Sequence, residues 1–172
     1  MIVRDPELIA GRRFPVAIMG SGLAGLSIAL ELDRHGIDSL LLEAGGIKFD
    51  AQSQKEYRGR IVGDPLYDLS HARLRQFGGT SGQWNGWCRP LDTHHLSSWP
   101  ISVEALEPYL DPACALLEIV LNFRDLRLND SLRQIQYRFS NPPVRFGKKF
   151  LGKVSASKHI HCFNNFSARS AS

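Results

Sequence analysis

The sequence has few cysteines and no long hydrophobic run. Its three cysteines, Cys88, Cys114 and Cys162, are an odd number at wide spacings in 172 residues. This pattern argues against a disulfide framework and favours a reducing compartment. No apolar segment reaches the length of a membrane span, and residues 1–13, MIVRDPELIAGRR, lack the apolar stretch of a signal peptide. The sequence therefore predicts a cytoplasmic protein without a membrane span.

Signals for metal and nucleic-acid binding are also weak. His159, His161 and Cys162 lie close together, but no further ligand pair with zinc spacing accompanies them, so we predict no metal site. The net charge is +4, and much of the positive excess comes late in the sequence. The residues concerned are Arg145, Lys148, Lys149, Lys153 and Lys158. Because no nucleic-acid motif accompanies them, a solvated basic face is favoured over a nucleic-acid site.

Residues 16–46, VAIMGSGLAGLSIALELDRHGIDSLLLEAGG, contain a complete β-α-β pattern. Leu23, Leu26 and Leu30 follow the i, i+3, i+7 spacing and are predicted to form the buried face of the helix. Gly36 stands where a left-handed residue is expected to end that helix. The predicted elements are a strand at residues 15–19, a helix at residues 23–35 and a second strand at residues 38–43.

Three glycines in this unit have the G-x-G-x-x-G spacing of a dinucleotide-binding turn. Gly20 allows a tight turn, Gly22 lets a pyrophosphate approach the backbone, and Gly25 lets the helix pack close to the strand. The N-terminus of the helix then offers N–H groups to the phosphates. Glu43, at the end of the second strand, is placed to accept a hydrogen bond from a ribose hydroxyl. Because NAD and FAD both carry an ADP half, this unit alone does not separate them.

A second segment, RLRQFGGTSGQWNGWCRPLD at residues 73–92, is rich in glycine and tryptophan. Its glycines let the backbone approach a ligand closely, and Thr80 adds a hydroxyl. Trp84 offers a flat apolar surface to a ring system. Arg73 and Arg75 offer positive charge to phosphates or to a flavin. A tight glycine loop with core tryptophans explains the same composition equally well.

Together with the β-α-β unit, this segment resembles the flavin-contacting part of glucose-methanol-choline (GMC) oxidoreductases. It is most similar to the branch that includes pyranose oxidases and sugar dehydrogenases. The resemblance covers about residues 1–125, including SQKEYRGRIVGDPLYDL (53–69) and SWPISVEALEPYL (98–110). It implies FAD as the cofactor and the oxidation of a CH–OH group, in a sugar or an alcohol, to a carbonyl. A histidine base late in the chain would take the hydroxyl proton.

Three departures from the family pattern shape the prediction. GMC members are much longer, and none of the six histidines of this chain falls in a segment matching their catalytic motif. The catalytic residues therefore stay unassigned. Gln83 stands where covalent members have a flavin-binding histidine, so we expect non-covalent FAD. The stretch at residues 92–99 looks shorter than in the family, and Asn85 stands in place of a glycine. We expect an N-terminal fragment that is inactive alone and associates through uncovered surface.

The predicted fold class is α/β, a Rossmann-like FAD-binding unit with an incomplete parallel sheet and the start of a substrate domain. Residues 158–163 are expected to add a third strand, giving the strand order 3-2-1. In the substrate region we predict a helix start at Ser102 and a further helix at residues 113–121. The expected domains are an FAD-binding part at residues 1–92, a substrate or cap region at residues 93–157, and the third strand with a frayed tail at residues 158–172.

The predicted contacts to the cofactor come from both motifs. They are Gly20, Ser21, Gly22, Leu23, Ala24, Gly25, Glu43, Ala44, Arg75, Gly79, Thr80, Ser81 and Trp84. Two other classes of protein stay open. One is a nicotinamide-dependent dehydrogenase, and the other is a non-catalytic module that binds a nucleotide or a partner.

Overall fold

The structure is a computed structural model that describes residues 1–3, 5–64 and 67–165. The frayed tail predicted at the end of the chain lies, from residue 166 on, outside the described residues. The strands are β1 (Ile2–Val3), β2 (Val16–Met19), β3 (Ser39–Glu43), β4 (Trp87–Cys88), β5 (Leu126–Arg127), β6 (Arg133–Gln134), β7 (Arg138–Phe139) and β8 (Ile160–Asn164). The α-helices are α1 (Leu23–Arg34), α2 (Ala51–Gln54), α3 (Leu69–Ala72), α4 (Val103–Leu106), α5 (Leu110–Leu117) and α6 (Phe146–Ala156). Short 3-10 helices span Pro6–Leu8, Lys55–Tyr57, Gly79–Gly82, Thr93–Leu96 and Glu107–Tyr109.

The chain divides into two compact units. The first contains Met1–Gln83 and Arg145–Ser172, and the second contains Trp84–Val144. The units meet after residues 83 and 144, whereas the predicted domain boundaries lie after residues 92 and 157. The functional roles of the predicted domains stay a prediction. In the part of the chain that the structure describes, no helix combines the length and the apolar character needed to cross a membrane.

A four-stranded parallel sheet forms the centre of the first unit, in the order β1-β8-β3-β2. Strand β3 lies between β2 and β8, and Leu41 is in register with Ile18 on one side and Cys162 on the other. The α/β fold class, the third strand and the strand order 3-2-1 are confirmed. The third strand spans residues 160–164 rather than 158–163.

The edge strand β1 lies within residues 1–13, where the sequence analysis predicted no strand. Ile2 pairs with Cys162, and Val3 pairs with Phe163. Val3 is 1% exposed, so this short strand belongs to the core. Two residues are too few to show a hydrophobic period, and the pairing partner lies about 160 positions away, so the local pattern could not reveal it.

Of the three residues predicted to form the buried face of α1, Leu26 is confirmed, Leu30 is half-buried, and Leu23 is wrong. Leu26 and Ala29 are fully buried, whereas Leu23 is 42% exposed. A Cβ atom added at Gly25 would overlap the carbonyl oxygen of Gly20, so the helix approaches the end of β2 on that side. Leu23 is two residues from Gly25, about 200° around the helix, and therefore points away.

The end of α1 follows the prediction for Gly36. This glycine has a φ of +68°. Its N–H donates to the carbonyl of Asp33 at 3.0 Å, and the N–H of Ile37 donates to that of Leu32 at 2.9 Å. These two bonds are the Schellman arrangement, which satisfies the last carbonyls of the helix.

The second unit contains two short α-helices, two 3-10 helices and two small antiparallel ribbons. The Ser102 hydroxyl accepts the N–H of Ala105 at 3.3 Å, which confirms the predicted helix start. The helix predicted at residues 113–121 is shifted, because α5 begins at Leu110 and tolerates Pro112 in its first turn. One ribbon pairs β4 with β7, and the other pairs β5 with β6. The sequence predicted no strand in the second unit.

His161 is a buried histidine at the second position of β8. It is 6% exposed, its ring centroid lies 5.1 Å from that of Phe14, and its Nε2 lies 3.4 Å from an Arg12 guanidinium nitrogen. Among the described residues its Nδ1 has no hydrogen-bond partner. Burial, followed by the charge of Arg12, lowers the pKa of His161, although nearby Asp38 opposes the shift.

We expect this histidine to make the protein less stable in acid. Unfolded histidine takes up a proton near pH 6.5, whereas folded His161 does so only at a lower pH. The unfolded state therefore binds more protons below about pH 6.5, and the free energy of unfolding falls as the pH falls through that range. Urea titrations between about pH 7 and pH 5 should show a smaller decrease for His161→Phe than for the wild type. The same slope in both proteins, with exposed His71→Phe as the control, would contradict this.

Candidate functional site

A cavity of about 270 Å³ opens at the carboxyl ends of β2 and β3. It is lined by Met19, Gly20, Gly22, Leu42, Glu43, Ala44, Tyr57, Arg73, Leu74, Gly79 and Thr80. Parallel α/β sheets bind ligands at this end of the strands. Residues of both glycine-rich motifs thus face a single cavity, although they lie more than fifty positions apart in the sequence.

The first glycine motif has the geometry that its sequence predicts. Gly20 has a φ of +93°, which allows the chain to turn sharply after β2. Nothing lies within 4 Å of a Cβ atom added at Gly22, so the space beside this residue is open. Gly25 has no such space, because a Cβ there would overlap Gly20. The motif therefore combines a tight turn, an open backbone face and close helix packing.

The N-terminus of α1 begins at this open face. Gly22 is the N-cap residue and provides no side-chain hydrogen bond, and the first turn carries no acidic residue. The first N–H groups of a helix have no partner within it, and the helix dipole adds partial positive charge. This end of α1 can therefore receive an anion such as a phosphate.

Glu43 is a buried carboxylate at the end of β3, with 5% exposure. Its Oε2 accepts the N–H of Ser21 at 2.9 Å and the hydroxyl of Ser21 at 2.6 Å. Its Oε1 accepts the N–H of Gly45 at 2.7 Å. A carboxylate offers about two acceptor sites on each oxygen. Among the described contacts, Oε2 accepts two hydrogen bonds and so uses both of its sites. Oε1 accepts one hydrogen bond and can accept one more.

Ser21 connects this carboxylate to the second glycine motif. Its hydroxyl donates to Glu43 and accepts the N–H of Gly78 at 3.2 Å. The same N–H also approaches the carbonyl of Ser21 at 3.1 Å. Because Ser21 is fully buried, it acts inside the protein rather than at the cavity surface.

The second motif needs glycine for two separate reasons. Gly78 and Gly79 have φ values of +87° and +56°, which other residues rarely adopt. A Cβ atom at Gly78 would overlap the backbone of Gly147 at the start of α6, and one at Gly79 would lie 3.0 Å from Cα of Gly22. The double glycine therefore lets this loop pack between α6 and the first glycine turn.

Arg73 and Leu74 form part of the cavity wall, and a buried amide holds the segment 73–75 to which they belong. The Nε2 of Gln54 donates to the carbonyls of Ser70 and Arg73 at 2.7 and 2.6 Å. Its Oε1 accepts the N–H of Arg75 at 2.9 Å. The Thr80 hydroxyl accepts the N–H of Leu74 at 3.2 Å, which fixes the wall to the glycine loop. No sequence motif indicated Gln54, because its partners are backbone groups.

The structure divides the predicted contact residues into two sets. Those that line the cavity are Gly20, Gly22, Glu43, Ala44, Gly79 and Thr80. Those of the first unit that do not line it are Ser21, Leu23, Ala24, Gly25, Arg75 and Ser81. The Ser81 hydroxyl donates to the carbonyl of Gly78 at 2.7 Å and accepts the N–H of Phe146 at 3.0 Å. Trp84 belongs to the second unit, and its cofactor contact stays a prediction.

Tyr57 lines the cavity but was missed in the sequence. It is half-buried on a short 3-10 helix, and burial, together with the negative charge of Glu43, raises the pKa of its hydroxyl. Arg73 and Arg75 oppose this shift. A single tyrosine in a polar, irregular segment gives no periodic signal, so only the fold shows where it lies.

The side chains considered as metal ligands have other contacts. His159 Nδ1 lies 2.7 Å from a carboxylate oxygen of Asp38, and Cys162 is buried in the sheet. In the second unit, one group of described side chains, Asp92, His94 and His95, has ligand atoms within 4.8 Å of one another. Asp92 is paired there with Arg89 at 2.7 Å. The absence of a metal site stays a prediction.

Comparison with known proteins gives a match within part of the first unit. Residues 13–62 match the family model described as an FAD binding domain. This segment contains the glycine turn, α1 and β3, and the match supports FAD as the cofactor. Proteins with this domain are usually flavin-dependent oxidoreductases or monooxygenases. The matching family is not the GMC family, so the match does not support that narrower assignment. No curated protein matches the chain.

We expect Ser21→Ala to weaken the fold through Glu43. The variant removes one hydrogen bond to a buried carboxylate, and bonds to charged groups contribute about 1.5–3 kcal/mol. Urea unfolding should show a loss of that order in the free energy of unfolding. The control is Ser155→Ala on α6, whose exposed hydroxyl donates to the carbonyl of Leu151 in its own helix and should change stability by less than about 0.5 kcal/mol. Equal, small effects of the two variants would show that Ser21 does not support the carboxylate.

Proposed function

We propose that the chain is the FAD-binding part of a GMC-type oxidoreductase that oxidises a CH–OH group of a sugar or an alcohol to a carbonyl. The observation that carries this proposal is the meeting of two sequence motifs at one cavity. One is the glycine turn with Glu43, and the other is the FGGTSG loop at residues 77–82. The FAD-domain match alone fits any of several flavoenzyme classes, and the second motif is what favours the GMC type.

The residues at the cavity fit the ADP half of FAD. Open space beside Gly22 and the first N–H groups of α1 can receive the diphosphate. The remaining acceptor site on Glu43 Oε1 can receive a ribose hydroxyl. Ser21 and Gly25 do not line the cavity, but they hold the glycine turn in place behind it.

FAD, when bound, would supply the redox chemistry by accepting a hydride from the carbon that carries the hydroxyl group. The residues of this chain would bind and orient the nucleotide end of the cofactor. The group that removes the hydroxyl proton stays unassigned. The FAD-domain match also favours this class over the nicotinamide-dependent alternative.

Anaerobic reduction of the flavin tests the proposed reaction. The purified protein is loaded with FAD and mixed with sugars, simple alcohols or reduced nicotinamides, while the visible absorbance of the flavin is followed. Bleaching by a sugar or an alcohol, with the matching carbonyl product, supports CH–OH oxidation and would overturn the expectation that the chain is inactive alone. Bleaching by reduced nicotinamide alone would contradict it and would favour a monooxygenase.

Replacement of Glu43 is expected to weaken FAD binding. Glu43→Ala removes a charged acceptor worth about 1.5–3 kcal/mol, and therefore about tenfold or more in affinity. Ser21→Ala is the matched control, because it perturbs the same hydrogen-bond group but keeps the Oε1 atom. Titration monitored by flavin fluorescence should give a larger loss for Glu43→Ala than for Ser21→Ala. Unchanged affinity in Glu43→Ala would refute the ribose contact.

The flavin is expected to be non-covalent, because Gln83 stands where covalent family members have a histidine. Acid precipitation of the loaded protein should release all the yellow colour into the supernatant. Flavin that remains in the washed pellet would contradict the prediction. A Gln83→His variant, treated identically, checks whether a histidine at this position restores attachment.

A further inference from the structure

We propose that Arg73 binds the diphosphate of the cofactor and makes the cavity selective for phosphorylated adenosine over adenosine itself. This inference rests on the proposed nucleotide site. The sequence offers two arginines, Arg73 and Arg75, only two positions apart, and gives no reason to prefer either. The structure separates them.

The two arginines have different surroundings. Arg73 is exposed and lines the cavity, and within the described chain its guanidinium donates a hydrogen bond to the neighbouring carbonyl of Ala72 at 3.0 Å. A guanidinium has five N–H donors, so most of them remain for a ligand. Arg75 is half-buried, does not line the cavity, and donates to the Ser53 hydroxyl. Arg73 is therefore the arginine that a ligand can reach.

The backbone of Arg73 is held in place before any ligand arrives. Its N–H donates to the carbonyl of Leu69 at 3.0 Å, and its carbonyl accepts from Gln54 at 2.6 Å. The following two N–H groups donate to the Thr80 hydroxyl and to Gln54 Oε1. A fixed backbone reduces the entropy that the arginine loses on binding.

The charges around the cavity fit a ligand with a hydroxyl end and an anionic end. Glu43 and Arg73 are the charged residues among those that line it. Glu43 is a hydrogen-bond acceptor with one remaining site, which suits a ribose hydroxyl. Arg73 and the N-terminus of α1 supply positive charge, which suits phosphate oxygens. An uncharged nucleoside would use only the first of these contacts.

The test compares four ligands, adenosine, AMP, ADP and FAD, bound to the wild type and to Arg73→Met by calorimetric titration. Methionine keeps an apolar stem but removes the charge. We expect ADP and FAD to bind at least about tenfold more weakly to the variant, while adenosine binding changes less than about twofold. Arg73→Lys should recover part of the loss, and raised salt should weaken ADP binding more in the wild type than in Arg73→Met.

Two further arginine variants serve as comparisons. Arg75→Met should affect ADP binding less than Arg73→Met does, and Arg60→Met, an exposed change outside the cavity, should leave it unchanged. Equal losses for adenosine and ADP in Arg73→Met, or no loss at all, would overturn the role of Arg73 while leaving the proposed function standing. A wild type that binds neither FAD nor ADP would overturn both.

Discussion

The buried carboxylate of Glu43 is the interaction on which the rest of the site depends. A charge with so little exposure is stable only if hydrogen-bond donors replace the water that it has lost. Ser21 and Gly45 provide three donors, from the turn after β2 and the turn after β3. The carboxylate therefore fixes the ends of two neighbouring strands to each other, and it does so where a nucleotide would bind.

The glycine loops form a second layer around this carboxylate. Ser21 holds Gly78 in place, because both its hydroxyl and its carbonyl accept the N–H of Gly78. The loop at Gly78 in turn packs against α6 at Gly147, where a Cβ on either residue would overlap backbone atoms. Close backbone contacts at Gly78 and Gly147, which leave no room for a Cβ atom, therefore hold the glycine loop in place. Hydrogen bonds from the Gln54 amide hold the other part of the cavity wall.

The sequence predicted those parts of the fold that local chemistry determines. The glycine turn, α1, β3 and the cap at Gly36 all follow from residues within one short segment. Features that depend on distant partners were missed, such as β1, whose partner β8 lies near the other end of the chain. In the site, Glu43 and Gly79 could be predicted because their motifs are local. Tyr57 and Gln54 could not, since only the fold brings Tyr57 to the cavity and the Gln54 amide to the backbone of Arg73.

Competition between ADP and FAD tests most directly whether this cavity holds the ADP half of the cofactor. The protein is loaded with FAD, and either ADP or FMN is added while flavin release is measured. ADP should displace FAD fully and with a stoichiometry of one, whereas FMN, which lacks the ADP half, should displace little. Displacement by FMN but not by ADP would contradict the assignment, because the flavin end would then provide the binding that we attribute to Glu43 and the glycine turn.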